Sequence, residues 1–397
     1  MQNKISVIGM GYVGIANALL LAKMHEVSIV DIDLQKVNDF NNKKLPIIDL
    51  FAQSYLEDNE LNISATINLH ESIKDASFII LALPTNFNEQ TQDFDVNVLE
   101  EIVLETADVN PDAIIVIKST VNIGYTQFLK EKINSKNLIF SPEFLREGHA
   151  LEDNLKPSRV IIGGEGQPSI LYGELVAKAI NNDSVSIIYM HTNAAESVKL
   201  FSNTYLAMRV SFFNELDSFC IDNNLNTKDI INGVCLDKRI GQFYNNPSFG
   251  FGGYCLPKDS KQLLKRFQST PHHLIQAVQD SNQARAKFLV DKILVKKPKI
   301  IGVYKLSMKQ GSDNSRGASI FNIIEELTSR NVNIKLYDPS IKNIEKIENV
   351  EPGEITIIKD LKKFIEVSDL ILVNRIDDDI KPFSEKVFSR DIFSSDD

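Results

Sequence analysis

Cysteine, lysine and aspartate stand within five residues of one another in Phe249-Gly250-Phe251-Gly252-Gly253-Tyr254-Cys255-Leu256-Pro257-Lys258-Asp259. Glycines at three of the four positions 250–253 let backbone approach a ligand closely. Pro257 fits the first residue of a helix, which places Cys255 near that helix's N-terminus. There the helix dipole and the Lys258 ammonium favour a thiolate, the nucleophilic form of the side chain. Asp259, one turn on, is close enough to orient a water or the thiol. Free cysteines are more often inert core residues, and that description suits Cys220, inside an apolar helical stretch, and Cys235. Cys255 keeps different company and is the candidate nucleophile.

A second segment, Gly9-Met10-Gly11-Tyr12-Val13-Gly14, closes an apolar strand and opens a helical pattern, the setting that a GxGxxG signal requires. Gly9 permits a tight turn, Gly11 lets backbone approach a pyrophosphate, and Gly14 lets helix and strand pack closely. The helix N-terminus supplies free N–H groups for phosphates. Asp31, 22 positions after Gly9, ends the next strand, where a carboxylate can accept ribose hydroxyls and repel a 2′-phosphate. The pattern points to NAD rather than NADP; a purely structural glycine turn is the alternative.

Four further segments carry polar groups where strands or helices would present them. Leu83-Pro84-Thr85 and Lys118-Ser119-Thr120 each follow an apolar strand and suit either cofactor-facing turns or helix caps. Ser141-Pro142-Glu143-Phe144-Leu145-Arg146-Glu147-Gly148 gathers two carboxylates and an arginine after another strand, as a substrate-side loop or a surface salt-bridge cluster would. Glu196, Lys199 and Asn203, spaced by three and four, share one helix face, which reads as a solvated stripe or as an acid, a base and an amide in a site. Lys309-Gln310-Gly311-Ser312-Asp313-Asn314-Ser315-Arg316 suits phosphate binding or ordinary turn chemistry.

The elements that must position these groups follow from periodicity. Short apolar runs at Ile5–Ile8, Val27–Val30, Phe78–Leu83, Ile114–Ile117, Leu138–Phe140 and Val160–Ile162 alternate with helical patterns, which predicts βαβ units and a parallel sheet. From Asn193 to about Asn223 helix formers run without Pro or Gly, long enough to span between lobes or to pair with the same helix in a dimer. Helical patterns continue to about Val295, broken by a Gly- and Asn-rich loop from Leu236 to Tyr254. Strands then resume at Ile300–Val303, Ile334–Tyr337 and Leu370–Val373. Lys299–Val303, Val332–Asp338 and Asp369–Val373 echo Lys4–Gly9, Val27–Asp31 and Phe78–Leu83 in order and type. Two α/β lobes flanking a helical middle are predicted, with a cleft between lobes suited to a large bipartite substrate.

Bulk properties narrow the class. A chain of 397 residues is too long for one ordinary core. Its composition, 43% hydrophobic and 24% charged, is that of a globular protein, and a net charge of −10 argues against nucleic acid or an anionic membrane as partner. Three cysteines are too few and too scattered for a disulfide framework or a zinc site. Strand pattern begins by Ile5, leaving no room for a signal peptide, and no apolar run approaches the ~20 residues of a membrane span. Cytoplasm is the expected compartment.

Taken in order, Gly9–Gly14 with Asp31, Lys118-Ser119-Thr120, Ser141–Gly148, Glu196–Asn203 running into Tyr205-Leu206-Ala207-Met208-Arg209, Leu236–Gly241, Tyr244–Asp259 and Gly311–Arg316 resemble the UDP-glucose/GDP-mannose dehydrogenase family, nearly end to end. Within it they resemble the short bacterial form that acts on UDP-glucose.

The resemblance implies a Rossmann-type NAD domain over 1–191, a central helical dimerisation region over 192–296 carrying the catalytic cysteine, and a Rossmann-like UDP-binding domain over 297–397. It implies UDP-glucose as substrate, NAD as cofactor and a homodimer. Cys255 becomes the nucleophile, with Lys199, Asn203, Asp259, Glu143 and Thr120 as catalytic neighbours. Gly9, Gly11, Tyr12, Val13, Gly14, Asp31, Lys36, Thr85, Thr120, Glu147, Lys258 and Arg316 would hold the cofactor. Glu143, Phe144, Leu145, Arg146, Glu147, Lys199, Asn203, Tyr244, Asn245, Asn246, Pro247, Ser248, Gly252 and Lys309 would hold the substrate, and Arg239 would reach it across the dimer. Asn122 stands where family members often have proline, which loosens that turn and touches no catalytic role; Lys238 likewise replaces a frequent proline, which makes the Leu236–Gly241 loop less rigid. The residues alone also admit a dehydrogenase for UDP-N-acetylmannosamine or GDP-mannose, a two-electron hydroxyacid dehydrogenase with a structural Cys255, and a non-catalytic NAD sensor.

Overall fold

The structure is a computed structural model and describes residues 2–182, 184–267, 270–307, 317–341 and 355–394. The chain divides into two compact units, Met1–Phe201 and Ser202–Asp397.

The first unit is built on an eight-stranded sheet. Its strands are β1 (Lys4–Ile8), β2 (Glu26–Val30), β3 (Ile63–Thr66), β4 (Phe78–Leu81), β7 (Ile114–Ile117), β8 (Leu138–Phe140), β9 (Arg159–Gly163) and β10 (Ser186–Met190). A hairpin of β5 (Phe87–Asn88) and β6 (Asp93–Phe94) lies apart from it. The order is β3-β2-β1-β4-β7-β8-β9-β10. The six strands from β3 to β8 are parallel, as predicted. β9 turns antiparallel to β8, and β10 pairs parallel with β9, so the sheet is mixed at that edge. β4 and β7 are buried at every position, as strands covered on both faces must be. Alternate residues feed two cores, one taking Ile5, Val7 and Ile80, the other Ile79, Leu81 and Ile117. Because the chain leaves β1 on one side and β4 on the other, their carboxyl ends form the switch point at which ligands of open α/β sheets bind.

The long helix runs from Thr192 to Asp222, unbroken by Pro or Gly. In the second unit it is followed by helices Thr227–Cys235, Cys255–Arg266 and His273–Val295. A five-stranded sheet then forms from β11 (Ile300–Tyr304), β12 (Asn333–Tyr337), β13 (Ile355–Ile357), β14 (Leu370–Val373) and β15 (Val387–Phe388). All four of its pairings are parallel, in the order β13-β12-β11-β14-β15. That order repeats β3-β2-β1-β4-β7, which bears out the echo between the two ends. Among the described residues no helix is long and apolar enough to cross a membrane.

Candidate active site

In the first unit the glycine turn joins β1 to the helix Tyr12–Ala22. Gly9 has φ +107°, and a Cβ there would meet the Ala82 carbonyl oxygen at 2.4 Å. A Cβ on Gly14 would lie 1.8 Å from the Gly9 oxygen, so helix and strand close only around glycine. A Cβ on Gly11 would meet nothing within 4 Å, and Gly11 caps the helix without any side-chain hydrogen bond. The helix N-terminus thus has no side-chain cap and open space beside Gly11, a cradle that fits a pyrophosphate. Asp31, directly after β2, accepts hydrogen bonds from the N–H groups of Met10 and Asp33, each at 3.0 Å. Lys36 pairs with it at 3.5 Å. These residues fit a dinucleotide with a free ribose 2′-hydroxyl.

Beyond the adjacent strands, Thr85 donates to the Thr120 carbonyl at 2.7 Å, tying two turns together. Ser119 Oγ donates to the Leu83 carbonyl and accepts from the Leu83 N–H. Neither threonine caps a helix: the next two helices are capped by Val96 and Gly124.

The Ser141–Gly148 segment is bound inward at Glu143. Lys118 Nζ lies 2.5 Å from Glu143 Oε1, and Asn17 donates to the same oxygen at 2.9 Å. Burial works against the Lys118 charge, yet the Glu143 carboxylate outweighs it and holds the ammonium above the ordinary lysine range. Lys199 donates to the Glu143 carbonyl at 2.5 Å and stands 5.5 Å from the centre of the Phe144 ring, which the Arg159 guanidinium also covers at 4.1 Å. Leu145 packs against the core. Arg146 instead pairs outward with Asp153 at 2.9 Å, and Glu147 is half-buried.

Glu196, Lys199 and Asn203 are all buried, so the solvated-stripe reading of that helix face does not hold. Glu196 accepts from the N–H groups of Gly124 and Thr126 at 2.6 and 2.8 Å, capping the helix Tyr125–Ile133. Burial raises its carboxyl above the ordinary range despite those bonds. Its role is structural.

In the second unit, the helix carrying the cysteine begins at Cys255 itself, two residues before the start that Pro257 predicted. Cys255 is exposed, whereas Cys220 and Cys235 are buried. Lys258 and Asp259 are buried one turn on, with Lys258 Nζ 3.1 Å from Asp259 Oδ1 and 4.9 Å from the centre of the Tyr254 ring. Burial alone would lower the Lys258 ammonium; Asp259, Cys255 and Tyr254 outweigh it and raise it. Asn203 donates to the other Asp259 oxygen at 2.5 Å. An exposed thiol at a helix N-terminus, backed by a buried cation, is arranged for nucleophilic attack.

The loop before it is held from several sides. Tyr244 adopts φ +51°. Asn245, buried, donates to Gln242 Oε1 at 3.0 Å and to the Cys235 sulfur at 3.3 Å. Pro247 is buried and Gly252 half-buried. The Ser248 N–H donates to Asn214 Oδ1 at 2.8 Å, and the Ser248 carbonyl accepts two bonds from Arg285. Arg239 is 89% exposed and, among the described residues, pairs locally with Asp237 at 2.6 Å. Lys309 and Arg316 lie outside the described residues. Sequence reasoning missed Asn17, Asn214, Asp217, Arg285, Arg390 and Asp391, whose partners are far away along the chain.

Residues 3–181 match the NAD binding domain of the UDP-glucose/GDP-mannose dehydrogenase family, 193–284 its central domain and 302–394 its UDP binding domain. The chain is 47% identical over 397 residues to the UDP-glucose 6-dehydrogenase of Campylobacter jejuni, covering 99% of this chain and 100% of that one. It is 42% identical to the UDP-glucose 6-dehydrogenase of Streptococcus pneumoniae, over 98% and 99% of the two chains. Among solved structures, a UDP-glucose dehydrogenase from Pyrobaculum islandicum superposes with a TM-score of 0.83 at 25% identity, covering 94% of this chain and 90% of that one.

Proposed function

The chain belongs to the UDP-glucose/GDP-mannose dehydrogenase family, and we propose that Cys255 carries its oxidation of UDP-glucose to UDP-glucuronate through a covalent intermediate. It is an NAD-dependent oxidoreductase. The observation that carries the mechanistic reading is the exposed Cys255 thiol at a helix N-terminus, beside buried Lys258 and Asp259.

When bound, NAD accepts a hydride from C6 of the glucose in each of two oxidations. Gly9, Gly11, Tyr12, Val13, Gly14 and Asp31 hold the cofactor, with Lys36, Thr85, Thr120, Glu147, Lys258 and Arg316 around it. Lys199, or a carboxylate acting through water, takes the hydroxyl proton in the first oxidation. The Cys255 thiolate then adds to the aldehyde, and the thiohemiacetal keeps this reactive carbonyl on the enzyme. Oxidation of that adduct leaves a thioester on Cys255, and water oriented by Asp259 and Glu143 releases the carboxylate. Lys199 and Asn203 stabilise the oxyanions formed on the way. Glu143 to Glu147, Tyr244 to Ser248, Gly252 and Lys309 hold the nucleotide sugar.

Residues 1–191, 192–296 and 297–397 divide the work between cofactor, catalytic helices and UDP. Tyr205, Phe212 and Phe219 repeat at seven-residue spacing along the long helix and stay exposed, as do Leu236 and Phe243. A second copy of the chain covers this face, and Arg239 reaches the partner's substrate. Three cysteines outside any disulfide and a soluble cofactor support the cytoplasm as its compartment.

A screen of UDP-glucose, UDP-N-acetylmannosamine and GDP-mannose, followed by NADH absorbance, tests the substrate. UDP-glucose should give the highest kcat/KM; a clear preference for either rival would reassign it.

A further inference from the structure

Two consecutive residues outside the expected site, Arg390 and Asp391, are each built into a charged cluster whose far side holds one residue of the Tyr244–Ser248 loop. Asp217 is fully buried on the long helix. Its Oδ2 accepts from Arg285 Nη2 at 2.5 Å and from Arg390 Nε at 2.9 Å. Its Oδ1 accepts from Thr227 at 2.8 Å and from Arg390 Nη2. Arg285, itself buried, gives its Nε and Nη2 to the Ser248 carbonyl at 3.2 and 3.1 Å. Arg390 thus bonds both oxygens of Asp217, which it shares with Arg285, and Arg285 extends its remaining donors to the loop.

The second cluster is reciprocal. Asn246 donates to Asp391 Oδ1 at 2.6 Å, while Asn246 Oδ1 accepts from the N–H groups of Ile392 and Phe393 at 3.0 and 3.3 Å. Arg375, beyond β14, pairs with Asp391 at 2.7 Å. Phe393 packs with Phe213, Ile231 and Cys235, and Cys235 receives the Asn245 amide. Asn246 is therefore tied directly to residues 390–393, Asn245 through Cys235, and Ser248 through Arg285 and Asp217.

We propose that the 389–394 segment is a working part of the nucleotide-sugar site, with Arg390 and Asp391 as positioning residues that hold the Tyr244–Ser248 loop in its binding shape. This rests on the reading that the loop holds UDP-glucose. Charge-assisted pairs buried on both sides of a loop fix it more tightly than its own turns would, and removing one partner leaves the other charge buried without its match. The consequence falls on substrate affinity, because neither residue is among those assigned to the cofactor or to the reacting carbon.

The test is initial-rate kinetics with each substrate varied separately, together with UDP binding by calorimetry, on Arg390→Ala, Asp391→Ala, Arg390→Lys and the loop control Asn245→Ala. Both alanine variants at 390 and 391 should raise KM for UDP-glucose and Kd for UDP by about tenfold, the loss of one charged hydrogen-bonded pair. KM for NAD and kcat should stay within about twofold, which a general loss of folded enzyme would not produce. Arg390→Lys should recover part of the affinity, since it keeps the charge without the two-pronged geometry. Should Asn245→Ala raise KM while the 390 and 391 variants leave it unchanged, the loop holds the sugar and the segment is only scaffold, which overturns the proposal. Unchanged KM in all of them would remove the loop from the substrate site and the proposal with it. If an alanine variant fails to fold, Arg390→Lys and Asp391→Asn must still shift KM for UDP-glucose rather than kcat for the proposal to stand.

Discussion

The two lobes build the same corner and use it differently. In the first, Gly9 follows β1 with positive φ, its N–H bonds the Val30 carbonyl at 2.8 Å, and Asp31 accepts from Met10 and Asp33. In the second, Lys305 follows β11 with φ +57°, its N–H bonds the Tyr337 carbonyl at 2.8 Å, and Asp338 accepts from Leu306 and Ser340, each at 2.9 Å. An aspartate at the end of the second strand thus has a folding task in both lobes, whether or not a ribose is bound. What marks the first corner as a dinucleotide site is the glycine turn, with open space over Gly11. The second corner has a lysine there instead, paired with Asp377 at 2.6 Å, and Tyr304 donates to the same carboxylate.

The most damaging way to probe that difference is to fill the first turn. Gly14→Ala puts a methyl against the Gly9 oxygen and should cost at least about 3 kcal/mol, the upper end for an overpacked site, with NAD binding lost. Denaturant unfolding and cofactor titration would show it; a stable variant with normal NAD affinity would refute the close packing of helix and strand.

Asp31→Ala and Asp338→Ala separate folding from binding. Each loses two backbone hydrogen bonds and should lose about 1–3 kcal/mol of stability. Only Asp31→Ala should also weaken NAD, by about 10- to 100-fold, and narrow its advantage over NADP. Full retention of the NAD preference in Asp31→Ala would leave the aspartate a structural residue in both lobes.

A smaller effect is expected from acid. Burial opposes ionisation of Asp377, but Lys305 and Tyr304 prevail and hold its carboxyl below the ordinary range. The same balance, with Arg390 and Arg285 prevailing, lowers Asp217. A depressed carboxyl stabilises the fold fully above the unfolded value near ~4 and loses that contribution as pH falls through the folded one. The second unit should therefore lose stability below about pH 4, less so in Asp377→Asn, whose amide does not titrate. Hydrogen exchange of β11 and β14 against pH would register this, and an acid profile unchanged by Asp377→Asn would count against the ion pair.

The glycine turn, the largely apolar runs of β1, β2, β4, β7, β8 and β9, and the long helix are local patterns, and all were legible in the sequence. β3, β10, β13 and β15 were not, being two to five residues long and partly exposed. The antiparallel turn of β9 leaves no mark on its residues either. Spacing put Glu196, Lys199 and Asn203 on one face but could not show that the face is buried. Their partners Thr126, Glu143 and Asp259 lie 70, 56 and 56 residues away along the chain. Arg390 and Asp217 are 173 apart, and nothing local announces such a pair.

Whether Cys255 carries a four-electron oxidation is decided by the stoichiometry of NADH. Wild-type enzyme should release two NADH per UDP-glucose consumed, with no free aldehyde, because a thiohemiacetal cannot diffuse away. Cys255→Ala should bind both substrates and form no acid, and Cys255→Ser should stall, its ester being a far poorer acyl donor than a thioester. One NADH per sugar in the wild type would leave a two-electron alcohol dehydrogenase, and near-normal UDP-glucuronate from Cys255→Ala would leave a four-electron oxidation that does not use this thiol.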